Sequence, residues 1–202
     1  LGAKAESIQS KTDPTTDGSS RLAIEFRLFG LLPLIFFAAH FLHYLKVGGL
    51  ANMLWLCHVS SLLLAAGLFL NRPVLIRVAT FWMITGLFIW ICYVVAGGEW
   101  ILTSLFIHVG GVIVGLVALH IVRADRTAWL YALAWFLLVQ QVSRMVAPTE
   151  LNVNVAHRVY DGMDKYFSAY WQYWLASTMG VAIGLWMLGV TLWKMFPPRV
   201  DR

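Results

Sequence analysis

The chain has 202 residues, 60% of them hydrophobic and only 12% charged, with a net charge of +5 and a mean hydropathy of +0.73. Soluble domains are closer to half apolar and a quarter charged, so an ordinary water-soluble globule is excluded and a polytopic membrane protein is indicated. The basic residues flank apolar runs instead of forming a patch, which argues against a nucleic-acid interface, and the two cysteines, Cys57 and Cys92, both lie inside apolar runs and make no disulfide framework.

Residues 1–21 hold Lys, Ser, Thr, Asp and Gly without an apolar cluster and read as a disordered tail. They lack the apolar core of a signal peptide. Six apolar runs follow, at 28–45, 50–70, 74–96, 100–122, 128–147 and 172–195. A helix needs ~20 residues to cross a bilayer, so the expected fold is all-α: six transmembrane helices in an antiparallel bundle over 22–196. Short connections such as Lys46-Val47-Gly48-Gly49 and Asn71-Arg72-Pro73 favour antiparallel neighbours. The first run is the shortest and contains Pro33, which predicts a kink or a tilt. One long connection, 146–171, ends in Tyr166, Phe167, Tyr170 and Trp171 and reads as a cap on the outer surface, its aromatics anchored at the headgroups. Residues 197–202 form a second tail.

Orientation follows from the basic residues. Lys4, Lys11, Arg21, Arg27, Arg72, Arg77, Arg123, Arg126, Lys194, Arg199 and Arg202 fall on one side, against Lys46, Arg144, Arg158 and Lys165 on the other. The positive-inside rule puts both termini in the cytoplasm, and the expected location is a bacterial inner membrane.

This topology converts position into depth. Cys57 and His58 lie about two turns into the second run and His108 about two turns into the fourth. His40 and His43 lie near the outer end of the first run, and Gln140, Gln141 and Arg144 in the outer half of the fifth. An ionisable group at membrane depth is costly to keep and marks a site by default. Ser104, His108, Gly111 and Gly115 share one stripe of the fourth run, and Cys57, Ser60, Ser61, Leu64 and Gly67 share one of the second. Ser177, Gly180 and Gly184 make a third small face. Such faces let helices approach closely, within this chain or against other membrane subunits; membrane lipids are the remaining expected partners. The plainer reading of a single intramembrane histidine is an interhelical hydrogen bond worth ~0.6 kcal/mol on average. Five of the six histidines near one depth, His157 of the outer connection included, exceed that need.

The stretch from Trp55-Leu56-Cys57-His58 through Asn71-Arg72-Pro73 to Phe81-Trp82-Met83-Ile84-Thr85-Gly86, with Ser104-Leu105-Phe106-Ile107-His108-Val109-Gly110 after it, resembles the YwaF-type integral membrane family. The resemblance covers about the middle third of the chain. It implies a helical bundle of six or more spans. Animal relatives of that family are thought to move fatty acyl chains between lipids through a cysteine, which implies Cys57 as nucleophile and His108 as its base. The family usually has His where this chain has Trp55, and often an acid where it has His58. The family's outer-loop asparagine corresponds to Asn152 or Asn154.

Three functions fit these residues. The first is lipid acyl transfer through Cys57 with His108. The second is a non-catalytic accessory subunit of a larger membrane complex, of respiratory or photosynthetic type. The third is a haem or metal protein in which His58, His40 and His43 hold the cofactor, with His108 opposite His58. The sequence names no particular cofactor. A proton-coupled transporter is disfavoured, because no Asp or Glu falls at mid-run.

Overall fold

The computed structural model describes residues 24–198, so the tails expected at 1–21 and 197–202 lie outside the described residues apart from Pro197 and Pro198. The long helices are α1 (Leu31–Val47), α2 (Leu56–Phe69), α3 (Pro73–Val95), α4 (Leu102–Val122), α5 (Ala128–Val146) and α6 (Tyr170–Met195). No strand occurs among the described residues, so the all-α expectation holds. Four helices are long and apolar enough to cross a membrane: Ile24–Val47, which contains α1, together with α3, α4 and α6. The other two differ from the expected spans. α2 has only 14 residues, about 21 Å of helix against a hydrocarbon core of about 30 Å. α5 is 19 residues long but carries Gln140, Gln141, Ser143 and Arg144 in its last two turns.

The second apolar run is broken where the sequence showed continuity. Leu50–Leu54 forms a separate 3₁₀ turn, and Trp55 is extended at φ −54° and ψ 135° before α2 starts at Leu56. Cys57 and His58 therefore occupy the first turn of a helix, not a position two turns down. The first run is a helix with a break, but the break lies ahead of Pro33. The chain turns at Phe29-Gly30, and Pro33 sits in the first turn of α1, where its missing N–H would have no intrahelical partner anyway. Ser61 Oγ on α2 donates to the Pro33 carbonyl at 2.9 Å.

The small stripe of α4 packs on α3: a Cβ added at Gly111 would lie 2.6 Å from Met83 Sδ, and one at Gly115 2.8 Å from Thr80 Oγ1. Around this seam one core gathers Leu64, Leu68, Ile76, Ala79, Met83 and Val114. A second joins α3, α5 and α6 through Phe81, Trp82, Ala132, Phe136 and Leu185. Trp82 Nε1 donates across it to the Ala132 carbonyl at 2.9 Å. The third small face is uncovered, with nothing within 4 Å of a Cβ placed at Gly180 or Gly184.

At one end, Arg77 of α3 closes α4. Its Nε donates to the Arg123 carbonyl at 2.8 Å and its Nη2 to the Val122 carbonyl at 2.9 Å, two acceptors that a helix C-terminus leaves free. The Thr127 hydroxyl and backbone N–H both donate to Asp125, and together they hold its carboxyl below the usual range. Ala124 N–H donates to the Phe196 carbonyl at 2.9 Å, tying this turn to the end of α6.

Candidate functional site

The other end gathers the imidazoles. Cys57 and His58 come from the first turn of α2 and His108 from a π-helical turn, Phe106–Gly110, inside α4. Single π turns inside α-helices are frequent at functional sites. One ligand-type atom from each of Cys57, His58 and His108 lies within 4.8 Å of the others. The approach depends on Gly86 of α3: a Cβ there would stand 2.7 Å from Cys57 Cβ and 3.8 Å from His108 Cδ2.

His40 and His43 join from α1. The His40 ring meets that of His58 edge to face at 4.5 Å between centroids, and His58 stands 5.9 Å from His108. His43 stacks behind His40 at 6.4 Å and is half-buried, so it borders the cluster without entering it. His40, His58 and His108 are buried, at 1%, 4% and 4% exposure. Trp90 lies parallel to the His108 ring at 5.2 Å.

The hydrogen bonds fix two tautomers. His58 Nδ1 donates to the Asn52 carbonyl at 2.9 Å and His108 Nδ1 donates to the Ser104 carbonyl at 2.8 Å. A carbonyl only accepts, so the proton sits on Nδ1 and Nε2 keeps its lone pair in both neutral rings. His40 Nδ1 pairs with Thr103 Oγ1 at 2.9 Å, while its Nε2 is buried with no partner. The arrangement thus presents one thiol and three imidazoles whose Nδ1 atoms are tied down. It can hold a metal or activate a nucleophile.

The connection at 146–171 anchors this end. Asn154 Oδ1 accepts from Leu56 N–H at 2.9 Å, and its Nδ2 donates to the Leu54 carbonyl and to Ser143 Oγ, each at 2.8 Å. Gln140 Nε2 donates to the Asn154 carbonyl at 3.1 Å, and Gln140 Oε1 accepts from Trp174 Nε1 at 2.8 Å. Tyr170 donates to the Val155 and Ala156 carbonyls, and Arg144 lies over its ring. The turn that presents Cys57 is therefore held from α5 and α6 through one asparagine.

The structure brings together Cys57, His58, His108 and His40, with His43 at the margin. It leaves out Cys92, which is exposed, and His157, whose ring makes none of these contacts. Sequence reasoning named Gly86 only as the end of the Phe81–Gly86 stretch and did not single out Trp90, Thr103 or Asn52. Gly86 is also the lone glycine in the long apolar run of α3. Two surface clefts lie away from the cluster, one lined by Arg77, Arg123 and Asp125 and one by Trp129, Trp186 and Trp193. Comparison with family models, with curated proteins and with solved structures returns no match for this chain.

Proposed function

We propose that the chain is a six-span membrane protein with antiparallel helices, the 14-residue α2 crossing together with the 3₁₀ turn Leu50–Leu54 ahead of it, and with both termini on the cytoplasmic side of a bacterial inner membrane. In this reading it transfers an acyl chain between lipids through a thioester on Cys57, with His108 as general base. The observation that carries this reading is the meeting of Cys57 and His108 from separate helices, with ligand-type atoms within 4.8 Å. The His108 tautomer supports it, since Nδ1–H is committed to the Ser104 carbonyl and Nε2 is free to take a proton. Resting separations of this kind tighten when substrate is bound.

His108 takes the thiol proton, and the thiolate attacks the ester carbonyl of an acyl lipid. The ester C–O bond breaks, the leaving alkoxide regains the proton from His108, and the acyl group stays on sulfur. A hydroxyl of the acceptor lipid then gives its proton to His108 and attacks the thioester. The C–S bond breaks and the thiol is restored. The first turn of α2 is the positive end of that helix's dipole, a suitable place for the anion that develops on the carbonyl oxygen.

The test is incubation of purified protein with a phospholipid bearing an alkyne-tagged acyl chain. A hydroxylamine-sensitive label on Cys57 is expected, absent from Cys57→Ala and formed at least about 100-fold more slowly in His108→Gln. Native protein without label, or equal label on Cys57→Ala, overturns the reading.

A further inference from the structure

We infer that Cys57, His58 and His108 form a binding site for a zinc-class transition metal ion, with His40 as the fourth ligand. Three independent features lead to it.

The first is proximity. The three ligand-type atoms already lie within 4.8 Å of one another. Around a tetrahedral ion with bonds of about 2.0–2.3 Å, ligand atoms stand roughly 3.3–3.8 Å apart, a contraction within reach of side-chain torsions.

The second is the surrounding hydrogen bonds. Metal-bound histidines nearly always donate their other ring N–H to a carbonyl or a carboxylate, which fixes the tautomer and the ring. His58 on the Asn52 carbonyl and His108 on the Ser104 carbonyl have this arrangement before any ion arrives.

The third is His40. Its ring is 1% exposed, it rests against the His58 ring, and its Nε2 has no hydrogen-bond partner. A buried polar nitrogen left unpaired costs about 1–3 kcal/mol. A bond to a metal would satisfy it.

Donor chemistry selects the ion. The set offers one sulfur and three nitrogens and no carboxylate, which disfavours magnesium and calcium and suits zinc, cobalt(II) or copper(I). Binding converts the Cys57 thiol to thiolate and releases its proton to solvent. The ion would take the Cys57 sulfur and the His108 lone pair that acyl transfer uses, so the metal-bound form is closed to that chemistry, and the readout contains no acyl chemistry.

Cobalt(II) tests it directly. Chelator-stripped, tag-free protein in detergent is titrated with Co²⁺ and followed by absorbance, then back-titrated with Zn²⁺. The expected result is one equivalent bound, with visible d–d bands of a tetrahedral site, a near-ultraviolet thiolate-to-cobalt band, and displacement of both by Zn²⁺. Cys57→Ser removes the thiolate band, His58→Gln weakens binding at least tenfold, and His40→Gln weakens it about 10–100-fold. The wild-type spectrum is itself decisive, so a variant that fails to fold does not obscure the outcome. No Co²⁺ or Zn²⁺ retained by the wild type, or a spectrum without a thiolate band, overturns the site. Thioester formation without metal binding leaves acyl transfer standing and removes only this inference, and the reverse result does the opposite.

Discussion

Asn154 adopts the left-handed conformation, φ 53° and ψ 24°, between Asn152 at φ 44° and Val155 at φ 54°. Asparagine enters that region at modest cost, whereas a β-branched valine there is strained. The strain persists because the side chain of Asn154 satisfies Leu56 N–H, the Leu54 carbonyl and Ser143 Oγ together. Truncating it leaves buried groups unpaired, at about 1–3 kcal/mol for each group that water cannot reach. Asn154→Gly is the sharper variant, because glycine relaxes the backbone while removing the same bonds. Both Asn154→Ala and Asn154→Gly are expected to lower the apparent Tm in detergent by several degrees and to loosen the turn that carries Cys57. A melting curve of Asn154→Gly that overlays the wild type would show that the side-chain bonds do not hold this turn.

At the scale of helices, spacing was a good guide wherever a face is set locally. The stripe of Ser104, His108, Gly111 and Gly115 is buried as its period implies, even across the π turn, whereas Cys57 meets His108 from the first turn of its helix and not from the expected depth. What spacing missed was set by distant contacts. The break at Trp55 is held by Asn154, 98 residues beyond Leu56, and no local pattern encodes it. The His40 partner, Thr103, is likewise on another helix. The glycines separate into two kinds by the same logic. Gly86→Ala forces a methyl group to within 2.7 Å of Cys57 Cβ and must part α2 from α3, an overpacking cost of about 1–3 kcal/mol. Gly184→Ala meets nothing within 4 Å and gains helix propensity of up to about 1 kcal/mol. Thermal scans are therefore expected to rank Gly184→Ala at or above the wild type and Gly86→Ala several degrees below it. Equal losses in both would mean that another molecule covers the α6 face.

Across the whole molecule the polar groups separate to two ends, and large apolar side chains such as Ile89, Ile113, Ile183 and Trp186 cover the flanks between them. One end holds the Asn154 anchor and the His40–Thr103 pair, the other Arg77 with the Val122 and Arg123 carbonyls and Ala124 with Phe196. The end with Arg77 also carries Arg72, Arg123, Arg126 and Lys194, the basic excess that the positive-inside rule assigns to the cytoplasm. In the proposed orientation the histidine cluster faces the outer leaflet, and a lipid substrate or an ion would reach it from the side opposite the termini. Two fusions test this. A green fluorescent reporter after Arg202 is expected to fluoresce, and alkaline phosphatase inserted at Gly162, an exposed turn at φ 83°, is expected to be active. Active phosphatase at the C-terminus with an inactive insertion at Gly162 would invert the molecule, place the cluster in the inner leaflet, and require its acyl donor or metal to come from the cytoplasm.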